Sequence, residues 1–368
     1  MKLNMTETGA SEQLIAIGVE TCEQDAITAM PDEVYDHMRR YCDYKKVPLL
    51  AQSEYAVMNL VANISLRDGI DESNFGTRYQ ESTIAAGRSY DPQRLTKVLN
   101  YRSQMESGDV FPDPILMFES DQLVQVDGAR RLMAKALSQA GTVKVILVVR
   151  RRNIPSLLEP EFIQKVRSLH KTKKWFNDYQ EIVELGLPGK RSYSGRFPNT
   201  LDFSLFKGKT VAEFACSNGM ALFEAYYRGA ARVIGFEFVH QNVEIINLMA
   251  KRLGIPVEAH RIDFNDSDWL DQVRRILPEW DYSVFLSTYR TLELKDRDGL
   301  VRGIWEGSKV GMIFEGHQQA IDTDKFYRNV FSTKASLTDY EVKQLPKGVI
   351  ERPYDAGYRP KYLLTRTS

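Results

Sequence analysis

The second half of the chain alternates short apolar runs with segments of helical spacing. Apolar runs at residues 211–216 and 233–238 flank residues 220–228, which have helical spacing and are followed by Gly229. This order predicts a strand, a crossover helix and a second strand, which together form a parallel βαβ unit. The same alternation predicts strands at residues 260–264, 280–287, 309–315, 339–345 and 358–367, and helices at residues 241–253, 268–277 and 297–305. The pattern indicates an open α/β sheet.

The first half of the chain mixes both kinds of element. The pattern predicts helices at residues 32–40, 53–66 and 91–105, strands at 113–120, 121–128 and 143–149, and a further helix at 129–141. The helix at residue 91 has the strongest start signal, because Asp91 can cap it and Pro92 suits its first turn. Residues 155–186 are predicted to form a helical linker.

These elements predict three parts. Residues 1–152 form a helical lead-in and a small α+β domain, residues 153–200 form a helical linker with a loop that covers a pocket, and residues 201–368 form the α/β domain. Open α/β sheets bind ligands at the carboxyl ends of their strands. A turn that carries Gly219, followed at the tip of the next strand by Glu237, suits an adenosine ribose, whose hydroxyls Glu237 would bind.

The first turn of the α/β domain resembles a known motif. The sequence VAEFACSNG is similar to V-L-D-x-G-C-G-x-G, the first motif of class I S-adenosylmethionine-dependent methyltransferases. Glu213, Cys216 and Gly219 match it, whereas Ala215 and Ser217 replace glycines. Either replacement would cost about 1–2 kcal/mol if the backbone needs a positive φ.

The resemblance implies a Rossmann-like seven-stranded methyltransferase domain with S-adenosyl-L-methionine as cofactor. Asp263 stands where the family holds the adenine amino group, and Ser287 ends a run that resembles the fourth-strand motif. The residues that the resemblance assigns to the donor pocket are Glu213, Ala215, Cys216, Asn218, Gly219, Glu237, Phe238, Asp263, Phe264 and Ser287.

The smaller domain resembles a second family. The order strand, turn, strand, D-G-A-R-R, helix, strand is similar to the ParB/sulfiredoxin superfamily, whose ParB-like members carry a G-E-R-R box. Gly128, Arg130 and Arg131 match that box, and Ala129 replaces its acid. The resemblance implies a phosphate or nucleotide site at Asp127, Gly128, Arg130 and Arg131. It also implies a kinase-like phosphotransfer by this domain as a further hypothesis. The alternative is a domain kept for packing or dimerisation.

The distribution of charge along the sequence bears on which kind of molecule accepts the methyl group. Formal net charge is zero, which does not fit a dedicated nucleic-acid binder. Residues 144–196 nevertheless hold twelve Lys and Arg against five Asp and Glu. This segment is either a solvated surface or a positive wall beside the donor, suited to a phosphate or carboxylate.

The cysteine and histidine content and the apolar runs argue against a disulfide-rich, metal-binding, secreted or membrane-spanning protein. Three separated cysteines and five scattered histidines predict neither a disulfide framework nor a metal site. The sequence shows no signal peptide and no apolar run of membrane-spanning length. A cytoplasmic protein without a membrane partner is the expectation, and the oligomeric state is left open.

The candidate residues for binding and activating the methyl acceptor lie in a loop and at two strand ends. The segment before the first strand is similar to the approach helix of tRNA wobble-uridine-modifying enzymes and some sugar methyltransferases, and it offers Gln180, Arg191, Tyr193 and Arg196 for substrate binding. Methylation of an oxygen also needs a base. His317 is the predicted base, and Tyr289 and Arg290 are further catalytic candidates.

The sequence therefore predicts an S-adenosylmethionine-dependent methyltransferase that forms an O-methyl ether or ester on a polar, anionic small molecule or glycan. A front domain would bind phosphate or nucleotide and could phosphorylate the acceptor. Two alternatives are a tRNA-modifying methyltransferase, favoured by the basic segment, and a non-catalytic donor-binding scaffold or sensor, favoured by the altered first turn.

Overall fold

The structure, a computed structural model, describes residues 2–4, 15–20, 26–85, 89–119, 122–139, 141–171, 179–197, 201–291, 293–317, 323–346 and 359–367. The chain divides into two compact units, Met1–Leu157 and Leu158–Ser368. The predicted mixture of helices and strands is confirmed in both. The finer division at residues 152 and 200 stays a prediction.

The first unit is a mixed sheet with helices. Its strands are β1 (Lys2–Asn4), β2 (Ile15–Glu20), β3 (Thr28–Ala29), β4 (Tyr55–Leu66), β5 (Ile115–Glu119), β6 (Gln122–Asp127) and β7 (Thr142–Arg150), and its helices are α1 (Asp32–Lys45), α2 (Phe75–Ala85), α3 (Pro92–Glu106) and α4 (Ala129–Leu137). In the described part of this unit the sheet has the order β1-β2-β4-β7-β5-β6, with β3 on β4. Only the β5–β7 pair is parallel among these strands.

One predicted helix of this unit is wrong. Residues 53–66 contain β4, a long strand that pairs with both β2 and β7. Val57, Leu60, Val61 and Ile64 have the spacing of a helix face, which explains the error. The buried positions Leu60, Ala62 and Ile64 instead follow the two-residue period of a strand. With β1 to β3 before it, the predicted helical lead-in is mixed rather than helical.

Helix α1 covers one face of this sheet. Its buried side chains, Val34, Met38 and Cys42, recur every four residues and pack with Tyr55 and Met117. The predicted start of α3 is confirmed, because the Asp91 side chain accepts a hydrogen bond from the Gln93 N–H at 3.0 Å. Local capping and apolar periodicity thus account for both helices.

The second unit is an α/β sheet flanked by helices. Its strands are β8 (Thr210–Phe214), β9 (Arg232–Glu237), β10 (Val257–Arg261), β11 (Trp280–Leu286), β12 (Ser308–Glu315), β13 (Tyr340–Gln344) and β14 (Lys361–Arg366), and its helices are α5 (Pro160–Lys171), α6 (Met220–Tyr227), α7 (His240–Leu253), α8 (Trp269–Ile276), α9 (Arg297–Gly307) and α10 (Asp324–Asn329). In the described part of this unit seven strands have the order β10-β9-β8-β11-β12-β14-β13. The five strands β8 to β12 are parallel, and β14 runs antiparallel to β12 and β13.

The linker departs from its prediction. Helix α5 ends at Lys171, residues 172–178 lie outside the described part, and residues 179–186 form turns and a short 3₁₀ helix, Val183–Leu185. Gly186 has a φ of 60°, and Pro188 and Gly189 follow it, so an α-helix cannot continue there.

The core of the second unit lies under its parallel strands. Phe214, Phe236, Trp280, Phe314 and Tyr362 are fully buried and belong to one apolar cluster. Near-continuous apolar strands are typical of a parallel sheet with both faces covered. In the described residues no helix is long and apolar enough to cross a membrane.

Candidate functional site

The turn after β8 keeps a conformation that glycine normally supplies. Ala215, Ser217 and Gly219 have φ values of 57°, 53° and 86°. A Cβ at Gly219 would lie 2.9 Å from the Ile246 side chain, so this position also needs the missing side chain. The two replacements in the motif therefore leave the turn in place and put about 1–2 kcal/mol of strain on each residue. Such strain is common where a backbone is shaped for binding.

Glu237 closes this turn from the end of β9. Its Oε2 accepts a hydrogen bond from the Ser217 N–H at 2.7 Å, and its Oε1 accepts one from the Val239 N–H at 2.9 Å. An ionised carboxylate offers about four lone-pair sites to donors. Two backbone N–H groups thus fix the carboxylate in place at the tip of β9.

Three strand tips meet at one edge of the sheet. The Phe236 carbonyl accepts from the Ala215 N–H at 2.8 Å, and the Glu237 carbonyl accepts from the Ile262 N–H at 3.0 Å. Asp263 follows at the tip of β10, with its Oδ1 accepting from the Asn265 N–H at 2.9 Å. The tips of β8, β9 and β10 are therefore adjacent, as the sequence predicts.

Two aromatic residues at this edge differ in placement. Phe238 is 47% exposed and lies beside the Arg261 guanidinium, at 5.9 Å. Phe264 is buried, and its ring is 6.2 Å from that of Phe214 in the core. Phe238 can stack on a planar ligand, whereas Phe264 supports the sheet beneath it.

Glu213 and Cys216 are buried under the turn. Burial raises the pKa of the Glu213 carboxyl to about 8, and the neighbouring Glu237 carboxylate adds to the rise while Arg196 opposes it. Burial likewise holds the pKa of the Cys216 thiol well above its ordinary value, with Glu213 and Glu237 adding to the rise. Cys216 packs against Gly235, where a Cβ would lie 2.7 Å from its Sγ. Its observed contacts are those of a packing residue.

Three oxygen acceptors around this turn lack a donor among the described residues. They are Glu213 Oε2, Asn218 Oδ1 and Gln180 Oε1, all in buried residues. The Asn218 side-chain amide donates to the Gln180 carbonyl at 3.0 Å and so links the turn to the 179–197 loop. Buried acceptors normally have partners, and acceptors grouped in this way suit a ligand with several N–H donors.

The 179–197 loop, which is predicted to cover the pocket, is held by close backbone contacts. Gln180 and Arg191 form a bridge, and a Cβ at Gly189 would lie 2.2 Å from the Gln180 backbone. The Tyr193 hydroxyl donates to Glu224 Oε2 at 2.8 Å in a buried position. Tyr193 therefore anchors the loop to α6, while Gln180 and Arg191 line its inner side.

Glu315, at the end of β12, is the centre of a group of cations. Its Oε1 accepts from Arg191 Nη1 at 3.0 Å and from Arg196 Nη2 at 2.9 Å. Arg359 Nη1 lies 3.9 Å from the same oxygen, and Lys361 Nζ lies 3.8 Å from Oε2. Burial raises the pKa of the Glu315 carboxyl, but the four cations outweigh it and hold the pKa well below its ordinary value.

Two hydroxyl groups adjoin this group of cations. The Ser287 hydroxyl, at the tip of β11, donates to Glu315 and accepts from Arg191 Nη1 at 3.1 Å. The Tyr179 hydroxyl lies 3.5 Å from Nη1 of both Arg191 and Arg359. Burial raises the pKa of the Tyr179 phenol, but Arg191, Arg359 and Arg196 together hold it below its ordinary value.

Two of the three predicted catalytic residues have their side chains engaged by packing contacts. Tyr289 is buried in the core, donates to Asp298 and packs on Phe314. Burial and this hydrogen bond raise its pKa. The Arg290 guanidinium lies over the Phe326 ring, 5.5 Å from its centroid. We therefore leave Tyr289 and Arg290 out of the candidate site.

His317 stands nearer to the candidate site. It follows Glu315 by two residues, and its backbone N–H donates to the Tyr327 hydroxyl at 2.8 Å. Its role as base stays a prediction. A separate cleft lies beside β13 and β14, lined by Leu205, Ile313 and Leu363, and none of the predicted site residues lines it.

The predicted phosphate box of the first unit is a tight turn. Gly128 has a φ of 89°, and a Cβ there would lie 2.8 Å from Pro114. Arg131 donates to Asp127 Oδ2 at 2.8 Å and to the Pro112 carbonyl, and His37 Nδ1 lies 3.4 Å from Asp127. Arg131 therefore holds the turn, which leaves Arg130 and the N-terminus of α4 for any anion.

Sequence reasoning missed half of the group around Glu315. The sequence patterns do not predict Tyr179, Arg359 or Lys361 as members of this group, and they predict Glu315 only as the end of the strand at residues 309–315. An acid at the end of a buried run was a usable signal for Glu315. Arg359 and Lys361 are separated from Arg191 by well over a hundred residues, so no local pattern could have joined them.

No protein-family model matches the sequence, and no curated protein is significantly similar to it. Among solved structures, the magnesium protoporphyrin IX methyltransferase of Synechocystis PCC 6803 with bound SAH is 10% identical over 44% of this chain and 75% of its own, with a TM-score of 0.35. The ribosomal protein L11 methylase of Lactobacillus delbrueckii subsp. bulgaricus is 15% identical over 44% and 72%, with a TM-score of 0.30. WbdD is 16% identical over 55% and 47%, with a TM-score of 0.37. Likeness at this level carries no conclusion about function.

Proposed function

We propose that the second unit is an S-adenosylmethionine-dependent methyltransferase. The single observation that carries this proposal is the fixed Glu237 carboxylate at the edge where β8, β9 and β10 end together. A ribose needs an acceptor for its two hydroxyls, and Glu237 supplies one whose position two backbone N–H groups set. Asp263 and Phe238 then stand on the side where the adenine ring would lie.

The oxygen atoms around the turn that lack a hydrogen-bond donor suit the amino-acid end of S-adenosylmethionine, which carries an ammonium group. An ammonium group carries three N–H donors, and Glu213 Oε2, Asn218 Oδ1 and Gln180 Oε1 lack a partner in the described part of the chain. A bound cation would lower the pKa of the Glu213 carboxyl, which burial raises to about 8, and so favour its ionised form. When bound, S-adenosylmethionine supplies an electrophilic methyl group on a sulfonium. The protein residues bind its polar ends and so fix the direction in which that methyl group points.

The methyl acceptor is, in this proposal, an oxygen of a polar, anionic small molecule or glycan. Transfer needs donor and acceptor in line at about 3–3.5 Å, and β11, which carries Ser287 at its tip, is paired directly with β8. Arg191 would orient the anionic acceptor. His317 is our proposed base, because histidine is the side chain that most often acts as a general base and His317 follows the end of β12 by two residues. Glu315 cannot take the proton, because the surrounding cations keep it ionised with a low pKa.

Calorimetry with S-adenosylhomocysteine tests the donor site directly. We expect saturable binding by the full chain and a loss of affinity in Glu237→Ala. Transfer of a labelled methyl group to candidate acceptors then tests the reaction. Donor binding without any transfer would leave the scaffold or sensor alternative, and no donor binding at all would refute the methyltransferase.

For the first unit we propose phosphate or nucleotide binding at the turn before α4. Arg130 and the N–H groups of α4 are the available donors, since Arg131 is paired with Asp127. Phosphorylation of the acceptor by this unit is the further part of the proposal. Incubation with labelled nucleotide and candidate glycans tests it, and an absence of label in every glycan would refute phosphotransfer.

The tRNA alternative gains little from the basic segment. Arg151 is buried and donates to the Ser53 carbonyl at 3.1 Å, and Arg191 and Arg196 bind Glu315. These three cations therefore lie inside the fold and are not displayed on a surface that could bind bulk tRNA. Filter binding of bulk tRNA over a salt series would revive this alternative if affinity fell steeply with salt.

A further inference from the structure

The group of cations around Glu315 is built from separate parts of the second unit. The 179–197 loop supplies Arg191 and Arg196, Arg359 lies two residues before β14, and Lys361 begins β14. Their side chains are only 3–17% exposed, and Glu315 itself is 0% exposed. The fold therefore brings four cationic side chains out of water to one buried point.

One carboxylate cannot use all the donors that face it. Each arginine carries five N–H donors and a lysine carries three, whereas a carboxylate offers about four acceptor sites. Arg191, Arg196 and Ser287 all approach the same oxygen of Glu315. Arg359 Nε is buried and has no acceptor among the described residues, and Glu315 Oε2 is likewise buried without a hydrogen-bond donor, so pairing within the group is incomplete on both sides. Donor capacity is thus left over beside Glu315.

The excess of positive charge around Glu315 also favours the binding of an anion. Glu315 stays ionised, so one negative charge faces four positive charges within 4.0 Å. Burying a cation is costly unless an anion accompanies it. Arginine is also the side chain whose planar fork best matches a carboxylate or phosphate.

The sheet order gives the distance between these cations and the donor edge, which is the edge of the sheet where β8, β9 and β10 end. Glu315 ends β12, which is two strands from β8 in the sheet order. Neighbouring strands are about 4.8 Å apart, so the two strand ends are separated by about 10 Å. An anion bound to these cations would therefore lie about 10 Å from the end of β8.

We infer that Arg191, Arg359 and Lys361, held in place by Glu315, form an oxyanion subsite that binds a carboxylate or phosphate group of the methyl acceptor. The inference rests on the proposed function only in assigning the anion to the acceptor. Glu315 acts as a positioning residue here, because it fixes the cations and does not touch the reacting oxygen.

A second source of the same chemistry is the carboxylate of the donor itself. Arg196 lies between Glu315 and Glu213, which makes this source chemically reasonable. The two sources differ in one measurable respect. An acceptor subsite binds free oxyanion together with S-adenosylhomocysteine, whereas a donor-carboxylate site cannot hold both.

The experiment is calorimetric titration of the full chain with inorganic phosphate, sulfate and acetate at constant ionic strength, with and without saturating S-adenosylhomocysteine. We expect saturable binding of at least one oxyanion in both conditions. Arg359→Gln should weaken it about tenfold or more, the loss of one charge-assisted contact. The matched control is Lys309→Gln, because Lys309 begins the same strand β12 at its opposite end and pairs with the exposed Glu279.

Several outcomes would overturn the inference. These are no saturable binding of any oxyanion, binding that disappears when S-adenosylhomocysteine saturates the protein, or equal effects of Arg359→Gln and Lys309→Gln. If Arg359→Gln does not fold, Arg359→Lys serves, since it keeps the charge and loses the fork, and unchanged oxyanion affinity would then count against the subsite. Failure of S-adenosylhomocysteine to bind would refute the proposed methyltransferase. It would not by itself refute the oxyanion subsite, because oxyanion binding is also titrated without S-adenosylhomocysteine.

Discussion

Glu213 and Glu315 are both buried glutamates on parallel strands of one sheet, and their surroundings give them opposite properties. Burial in β8 raises the pKa of the Glu213 carboxyl to about 8, and the nearby Glu237 carboxylate adds to the rise. Glu315 ends β12 among Arg191, Arg196, Arg359 and Lys361, and its pKa is held well below the ordinary value. One end of the candidate site therefore prefers to receive positive charge, and the other prefers to receive negative charge.

The difference shows that position and charge state have separate origins. Strand pairing fixes where each carboxylate lies, because Glu213 is opposite Gly235 and Glu315 is opposite Lys361. Burial raises the pKa of both carboxyls, and only at Glu315 do neighbouring cations outweigh it and keep the carboxylate ionised. A cationic donor with an ammonium group and an anionic acceptor are the ligands that suit these two ends.

The largest expected effect is on stability and comes from Glu315→Gln. This change keeps the shape of the side chain but leaves the buried cations without their carboxylate. We expect the free energy of unfolding, measured with urea, to fall by about 3–5 kcal/mol. If the subsite exists, added phosphate should restore part of this loss.

The matched control for that change is Glu279→Gln. Glu279 also pairs with a residue of β12, Lys309, but both side chains are more than half exposed. Exposed pairs contribute about 0–1 kcal/mol. Equal losses in the two variants would show that Glu315 is not the organiser of the group.

The second prediction concerns stability and pH at Glu213. In the unfolded chain this carboxyl ionises near its ordinary pKa of 4.5, whereas the folded protein keeps the proton to about pH 8. The folded state therefore binds more protons in this window, so the contribution of Glu213 is complete below pH 4.5 and is lost as the pH rises through 8. The slope approaches about 1.4 kcal/mol per pH unit.

Glu213→Gln isolates this effect, because glutamine resembles the protonated acid and does not titrate. We expect the difference in unfolding free energy between wild type and variant to change across pH 4.5–8 and to be constant outside it. Glu315→Gln should give the opposite window, since a lowered pKa contributes stability above pH 4.5 that is lost as the pH falls. A flat difference for Glu213→Gln would mean that Glu213 is ionised in the fold.

The third prediction concerns donor affinity at Glu237. Removing this carboxylate in Glu237→Ala takes away the acceptor for two ribose hydroxyls and for the N–H groups of Ser217 and Val239. We expect S-adenosylhomocysteine to bind about 100-fold more weakly, since contacts to charged groups contribute about 1.5–3 kcal/mol each. Glu258→Ala is the control, because Glu258 lies on the neighbouring β10 in an exposed pair with Arg232. Similar losses in both variants would remove Glu237 from the donor site.

How much the sequence could predict depends on how local each signal is. The turn Ser217-Asn218-Gly219 and the acid Glu237 lie within one βαβ unit, so their spacing alone indicated the donor edge. Helical and strand periods overlap in residues 53–66, where tertiary pairing with β2 and β7 decided for a strand. Local pattern was least useful where distant segments meet.

The residues near β12 show this most clearly. Tyr289 follows a strand and is predicted near the reaction, but packing turns its ring into the core, and its hydroxyl donates to Asp298. Arg359 and Lys361 reach Glu315 only because β14 inserts beside β12. Side-chain direction and the pairing of a late strand are results of the whole fold, so a single sequence did not reveal them.

The smallest expected effect comes from returning the turn to glycine. Ala215 and Ser217 have positive φ values, which cost about 1–2 kcal/mol each. Glycine relieves that strain but adds about 0.4–1 kcal/mol of unfolded-state entropy. Ala215→Gly and Ser217→Gly should therefore each raise the free energy of unfolding by about 0.5–1 kcal/mol, measured with urea.

Donor affinity separates two explanations of these residues. If the turn contacts the donor through its backbone, both glycine variants should bind S-adenosylhomocysteine as wild type does, because the φ values stay accessible to glycine. Ser287 makes a useful contrast, since its φ is also positive, at 59°, while its hydroxyl binds Glu315 and Arg191. Ser287→Gly should relieve strain and still lose stability, because the buried charges lose a partner. If Ala215→Gly weakened donor binding as much as Glu237→Ala, the side chain and not the backbone would shape this edge of the site.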